Sequence, residues 1–507
     1  MFNGVIDKMK EKLLTSCKNN ENNYFKKIMC LGLDFGTTNS TVCLFDGKTF
    51  YYVTLENEQI MIPTLLYVNK EYYPSYGELA RTNFLMDNKQ RTVRFEEIDL
   101  GYIQITLSET PFEMFEHTPF DPVPTTFDAK IKGYADKNLP GILFASTKRL
   151  LGQPSFVSIK LFEKNIKVEA IISSIIQNIK NKIETQYSYV EYSNIFIGRP
   201  VNYECEYGYT QEKSNSIALE RMRKALENVN INNYEFFLEP IAPVLSYLHE
   251  NHEDENLNIL ILDFGGGTLD FSLIEKKENY LTSIGNTGIP LGGDIINEIL
   301  LKNYIFPELG LTQENLTYLR KNNIYFEDII REILNWRTTY ILNQPKYFIM
   351  IQDAMKLMPD EMKKFHRIYL LIKRNYSYNI FLAIENAKKE LSSSSEYNID
   401  LHEVDIHIKI NRSMLESSIE PYIKSILTAI DSFLASKNLD TNDVDRVIVT
   451  GGTSIIPVIN EELYKKFNGK IRKIDPFLSN IKGFALGAWL YSQGKILLNN
   501  SKLKINI

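Results

Sequence analysis

Cysteine is scarce in this chain. Four occur in 507 residues, Cys17, Cys30, Cys43 and Cys205, and no two form a Cys-x-x-Cys pair. That excludes a disulfide-stapled secreted scaffold and fits a reducing compartment, with strand cysteines acting as small apolar fillers. Histidine is also rare, at six residues. Its one His-x-x-His pair, His249 and His252, has no cysteine or carboxylate cluster to complete a metal site and reads as a surface helix end. No apolar run reaches the length of about 18 residues that a membrane span needs. Residues 1–27 mix Lys8, Lys10, Lys12, Lys18, Lys26 and Lys27 with Asp7, Glu11 and Glu21. They lack the apolar stretch of a signal peptide and read as a charged helical tail of a cytoplasmic protein. With a net charge of −6 and no strong basic block, nucleic acid is not an expected partner.

What is present is ordinary globular composition, 44% hydrophobic and 24% charged. The length supports two or more cores, since single domains run to about 100–200 residues. Strand, loop and helix patterns alternate, so the class is α/β with mixed sheets. Strands joined by a tight turn are expected over 28–45 and again over 259–274. Helices are expected over 165–186, 241–248, 413–437, 457–467 and 483–491, with a long helical region at roughly 294–391. Short strands are expected at 194–198, 236–238 and 446–450. Residues from about 63 to 140 are poorly periodic and read as an elaboration of the first half.

The central signal is a repeat. Asp34-Phe35-Gly36 and Asp263-Phe264-Gly265 each follow an apolar strand and lead into a Gly/Thr-rich turn and a second apolar strand. The turns Gly36-Thr37-Thr38-Asn39 and Gly265-Gly266-Gly267-Thr268 expose backbone N–H groups that can nest around phosphate oxygens. Thr268 adds a hydroxyl. Asp34, Asp263 and Asp270 would gather at one place, where like charges repel unless a cation sits among them. Mg²⁺, which prefers oxygen ligands and keeps several waters, suits them. Two such hairpins can close on one polyphosphate from opposite sides, as two related lobes around a nucleotide. Protein kinases also carry Asp-Phe-Gly, but their His-Arg-Asp and Ala-Pro-Glu partners do not occur here.

With Val449-Thr450-Gly451-Gly452-Thr453, the set resembles the phosphate and adenosine motifs of the seventy-kilodalton heat-shock chaperones, DnaK-like members of the actin and sugar-kinase ATPase superfamily. The run from Phe144 to Gly152 resembles the loop carrying that family's catalytic lysine, here Lys148. Glu239-Pro240, Leu291-Gly292-Gly293-Asp294 and the helix from Glu385 to Ser392 match in order. The resemblance spans about 28 to 494. Gly198-Arg199-Pro200 and the long 301–375 region are most similar to the YegD-like bacterial subgroup.

The resemblance implies a two-lobed actin-like ATPase fold, a duplicated ribonuclease H-like motif with an inserted subdomain on each lobe. Lobe I would cover 28–257, with its insertion at about 63–164 and a C-terminal helix 476–494 returning to it. Lobe II would cover 258–475, with its insertion at about 301–412. Residues 495–507 would be a tail, and no peptide-binding domain is expected. Asp34 and Asp263 would hold Mg²⁺ through water, Lys148 would face the γ-phosphate, Glu239 would orient water, and Thr268 would join the catalytic set. Nucleotide contacts would come from Gly36, Thr37, Thr38, Asn39, Gly265, Gly266, Gly267, Asp270, Gly293, Asp294, Glu385, Lys388, Lys389, Ser392, Gly451, Gly452, Thr453, Ile455 and Asp475. Ile455 stands where the family usually carries an adenine-stacking arginine, and Lys389 where its partner arginine stands; losing a cation–π contact of about 0.5–2 kcal/mol would loosen adenine binding. The function implied is a slow, chaperone-like ATP–Mg²⁺ switch, monomeric, read by an unidentified partner or client. The alternatives are a nucleotide-binding scaffold without turnover, which would bind ATP and release no phosphate, and an actin-type filament, which would sediment with ATP. A small-molecule kinase would need an acceptor-directed base, and no motif supplies one.

Overall fold

The computed structural model describes residues 27–89, 91–107, 125–187, 190–251, 255–336, 339–472, 474–499 and 502–505. The expected helical tail, apart from Lys27, and His252 lie outside the described residues. The architecture is mixed α/β with several sheets, and two of them repeat one connection pattern.

In the first, strand Lys27–Phe35 pairs antiparallel with Asn39–Phe45 and parallel with Val190–Arg199, which pairs parallel with Tyr234–Leu238. Phe50–Tyr52 and Met61–Pro63 add antiparallel to Asn39–Phe45. In the second, Leu257–Phe264 pairs antiparallel with Leu269–Lys277 and parallel with Arg446–Thr450, which pairs parallel with Ile471–Arg472. Tyr280–Ile289 adds antiparallel to Leu269–Lys277. Each sheet is thus an acidic hairpin with parallel strands on one side and an antiparallel strand on the other.

The central strands are apolar on both faces because both are covered. Met29, Leu31, Leu33 and Phe35 point into a core with helix Val168–Gln186, while Cys30, Cys43 and Phe45 point into another. That second core also takes in Ile259, Ile261 and Ile448 from the other sheet, with helices Ile241–Asn251 and Ser479–Ser492 contributing Val244, Ile481 and Phe484. The two helices are therefore packed in a core common to both sheets. The opposite face of the second sheet, Leu260, Leu262 and Phe264, packs on the long helical region.

Several expectations need correction. The helix expected from 165 begins at Val168, because Lys164–Lys167 is spent as a strand against Ser158–Leu161. The poorly periodic stretch holds helix Gly77–Asn88 and the antiparallel pair Phe95–Leu107 and Thr125–Asp136. The segment 495–507, expected as a tail, forms strands Ile496–Asn499 and Lys502–Ile505, which extend the second sheet beyond Tyr280–Ile289. Burial of Ile496, 1% exposed, gives that extension an apolar anchor. The 301–375 region places Phe326, Phe365, Ile368 and Leu371 in the same core as the second sheet. Helix Gly77–Asn88 meets that region and the helix after it: the Phe84 ring lies 5.7 Å from Trp336 and 5.5 Å from Tyr378 on Ser377–Ser393. Among the described residues, no helix is long and apolar enough to cross a membrane.

Candidate functional site

Backbone geometry brings the two acidic turns together. A Cβ built on Gly266 would lie 2.8 Å from Thr38 Oγ1, so the turn of the second hairpin touches that of the first. The Thr38 carbonyl accepts from Thr64 N at 2.8 Å, and the Ser40 and Thr64 hydroxyls meet at 2.9 Å, which fixes the first turn from behind. The second turn is braced by helix Gly293–Leu300: Gly293 N donates to Gly265 O at 3.0 Å and Asp294 N to Gly266 O at 2.7 Å. The turn carbonyls are thereby occupied. Among the described residues, no backbone–backbone hydrogen bond outside helices and strands uses the N–H of Thr37, Thr38, Gly266, Gly267 or Thr268 as donor. Donors left open in adjacent turns make an anion-binding concavity.

Lys148 sits on a single tight turn, Thr147–Leu150, after strand Gly141–Ala145. It is buried, and its ammonium is bonded to Glu239 Oε1 at 2.5 Å. Burial alone would lower its pKa, but the Glu239 and Asp34 carboxylates outweigh that and hold it above the usual lysine range. The chain after it is clamped by Arg221, whose Nη1 donates to the carbonyls of Leu150, Leu151 and Gln153 at 2.9, 3.0 and 2.9 Å. Arg149 pairs with Glu204 at 2.5 Å, and its Nη1 lies 3.5 Å from where a Gly267 Cβ would stand, so this turn also reaches the second hairpin.

The carboxylates are electrostatically strained in this setting. Asp34 is pushed up to about 7, by burial first and then by Glu239 and Asp263, with Lys148 opposing. Asp263 is raised by burial and Glu239, while neighbouring Thr450 and Asn480 pull it back. Asp270 stands directly across the ladder from Asp263. It is open to water on its outer side, yet the surrounding protein and Asp263 push it up to about 7 as well. Thr268 Oγ1 donates to Asp270 Oδ2 at 3.0 Å. Around these groups the buried Thr41 Oγ1, Thr147 Oγ1 and Asn480 Oδ1 have no hydrogen-bond partner among the described residues. Buried polar atoms without partners are costly, so their concentration marks a place for water or ligand. The donor set fits a hydrated Mg²⁺: the carboxylates accumulate charge, whereas no group of three or more His, Cys, Asp or Glu side chains among the described residues is arranged to ligate a metal directly.

The expected adenosine residues fall into two groups. Gly293, Lys388 and Thr453 meet: Lys388 Nζ donates to Gly293 O at 3.1 Å, and Thr453 Oγ1 lies 2.7 Å from a Gly293 Cβ position. Burial pulls Lys388 down, with Glu385 and Asp294 opposing. Gly451 closes the strand end with φ +86, where a Cβ would strike Phe264 O at 2.3 Å, so only glycine fits. The rest are turned to local bonds or to solvent. Glu385 pairs with Lys389 at 3.3 Å, and Ser392 bonds back to Lys388 O at 2.9 Å. The Asp475 carboxylate accepts from Phe477 N and Leu478 N, each at 2.9 Å, organising the chain before helix Ser479–Ser492. Ile455 ends the turn Gly452–Ile455 and is 37% exposed. Gly36 N bonds Asn39 O at 3.1 Å, closing the first turn.

Sequence reasoning missed Arg221, Thr450 and Asn480. Thr450 lies inside a quoted motif; Arg221, on helix Gln211–Glu227, and Asn480, on helix Ser479–Ser492, belong to no motif.

Comparison with known proteins finds relatives of one kind. The Hsp70 protein family model matches residues 352–501. Chaperone protein HscA of Buchnera aphidicola subsp. Baizongia pistaciae (strain Bp) is 21% identical over 480 residues, covering 94% of this chain and 71% of that protein. Heat shock 70 kDa protein 13 of Homo sapiens is 23% identical over 500 residues, covering 94% of this chain and 92% of the relative. The Bos taurus counterpart is 22% identical over 505 residues, with the same coverage of both. The chain is thus similar to Hsp70-type proteins over most of its length, with the family model itself covering residues 352–501.

Proposed function

We propose that the protein binds ATP–Mg²⁺ between two actin-like lobes built on the two hairpin sheets, hydrolyses it slowly, and acts as a nucleotide-dependent switch of chaperone type. The observation that carries this reading is the contact of the two acidic turns, Thr38 against Gly266, beside the Lys148–Glu239 pair. The open N–H groups of Thr37, Thr38, Gly266, Gly267 and Thr268 would hold the phosphates. Asp34 and Asp263 would hold hydrated Mg²⁺, which when bound neutralises phosphate charge. Gly293, Lys388, Gly451, Gly452 and Thr453 would line the nucleoside, with Ile455 packing flat on the base.

Phosphoryl transfer rests mainly on positioning and charge stabilisation. Lys148 would turn its ammonium from Glu239 to the γ-phosphate. Glu239 would accept a hydrogen bond from a water aimed at the γ-phosphorus. As the water oxygen bonds to that phosphorus, the bond to the β,γ-bridging oxygen breaks and its electron pair leaves with ADP. The water's proton passes to the carboxylate and on to the released phosphate. The product state would alter closure of the two lobes, a change read by a partner or client protein.

The thiols of Cys43 and Cys205, which form no disulfide among the described residues, support a reducing, cytoplasmic setting. The Gly198-Arg199-Pro200 run supports the YegD-like subgroup. Phosphate release measured for the wild type, Asp34→Asn and Lys148→Ala tests the assignment: turnover should be lost in both variants, and unchanged release in both would remove the mechanism.

A further inference from the structure

Tyr203 belongs to no motif, yet its side chain is 4% exposed and its hydroxyl has no hydrogen-bond partner among the described residues. The residue is held firmly. Tyr203 N donates to Asn215 Oδ1 at 2.8 Å, and its carbonyl accepts from Gln211 Nε2 at 2.7 Å. A Cβ on Gly152 would lie 3.0 Å from Tyr203 Cβ, so the loop that follows Lys148 presses on it. Next to it, Glu204 is tied to Arg149. On the other side, Glu239 N bonds Arg199 O at 2.9 Å, at the end of the strand that leads into the Tyr203 loop. The Tyr203 loop thus joins the strand end bonded to Glu239 with the segment that follows Lys148. The charges that act on its phenol are Lys148, Glu239 and Arg199, and burial pushes it up to about 12, so it stays a neutral donor near neutral pH.

An idle buried donor beside an occupied ion pair suggests a partner exchange. In the structure Glu239 is bonded to the Lys148 ammonium. Once the ammonium turns to a γ-phosphate, Glu239 is left in a low-dielectric site without its cation, which is unfavourable unless another donor replaces it. We propose that the Tyr203 hydroxyl takes over Glu239, directly or through one water, when ATP draws Lys148 away. This makes Tyr203 a positioning residue: it acts on the reaction by holding the carboxylate that orients the attacking water. The inference rests on the roles given above to Lys148 and Glu239. It also explains why an unpartnered phenol is kept where phenylalanine would fill the same space.

The test is Tyr203→Phe, with ATP–Mg²⁺ and ADP–Mg²⁺ affinities by calorimetry, single-turnover hydrolysis, and thermal unfolding of the nucleotide-free chain. ATP binding should weaken about tenfold, the size of one hydrogen bond to a charged group, with ADP binding unchanged. Hydrolysis should slow at saturating ATP, and the unfolding midpoint should hold or rise, because the variant removes only an orphaned oxygen. In a Glu239→Gln background the same substitution should lose its ATP selectivity. Equal effects on ATP and ADP, no effect on either, or a lowered unfolding midpoint would overturn the proposal while leaving the ATPase reading standing. A wild-type chain that binds neither nucleotide would overturn that reading, and this one with it.

Discussion

The two acidic hairpins share a tripeptide and differ in what faces it. Across the ladder from Asp34 stands Thr41; across from Asp263 stands a second carboxylate, Asp270. The first turn is braced by Thr64, the bend between strands Met61–Pro63 and Leu65–Asn69, the second by the N-terminus of helix Gly293–Leu300. Cations are distributed unevenly too. Lys148 and Arg149 come from a turn packed with the first sheet's core, and both act across to the second hairpin, Lys148 through its field on Asp263 and Arg149 through its approach to Gly267. One motif has thus been used for two jobs: the second hairpin concentrates negative charge and open amides, and the first side supplies the compensating cations.

Breaking the cationic side should have the largest effect. Lys148→Ala should slow single-turnover hydrolysis roughly 100- to 1,000-fold, the usual loss for one charge-stabilising donor, as read by rapid quench with labelled ATP. A rate near that of the wild type would dissolve the division of labour.

The acidic side comes next. Asp34→Asn and Asp263→Asn should each weaken Mg²⁺-dependent ATP binding by about 10- to 100-fold, the range for residues that orient metal-bound groups. Asp270→Asn should cost less, because an amide oxygen can still accept from Thr268 and Asp270 carries no direct role in the Mg²⁺ shell. Calorimetry with and without Mg²⁺ ranks the three; an Asp270 variant worse than Asp34→Asn would reverse the comparison.

A gain of function sharpens it on the nucleoside side. Ile455→Arg should tighten ATP binding by about 3- to 10-fold, the value of one cation–π contact to the base. No change would mean that the exposed Ile455 does not border the base.

The smallest effect concerns pH. Asp34 and Asp270 sit near 7 in the folded chain, well above the ordinary carboxyl range, so the folded state holds these protons more tightly than the unfolded state does. The nucleotide-free protein should therefore gain stability on acidification from pH 8 toward pH 6 and lose it as pH rises through 7, a midpoint change of a few degrees by calorimetry. Asp34→Asn should flatten the slope and raise the midpoint at pH 8.

Much of this was legible because the signals are local. Strands ending at Phe35 and Phe264 are set by an apolar run meeting glycine, and helix Pro457–Phe467 by proline at its first turn. The Lys148–Glu239 pair, 91 residues apart, was not readable from spacing; only the resemblance placed both residues in one site. Arg221 and Tyr203 act through contacts their neighbours in sequence do not announce. The segment after residue 495 looks like a tail in sequence because its two strands are only four residues each, and the lysine-bearing Lys502–Ile505 is recognisable as a strand only once its neighbours Tyr280–Ile289 and Ile496–Asn499 are known.

Titration calorimetry of ATP–Mg²⁺ into the wild type, Asp34→Asn, Asp263→Asn and the double variant tests the central claim most directly. A single site per chain, weakened by either substitution and with non-additive loss in the double variant, is the predicted result. Full ATP affinity in either single variant, or two independent sites, would contradict it.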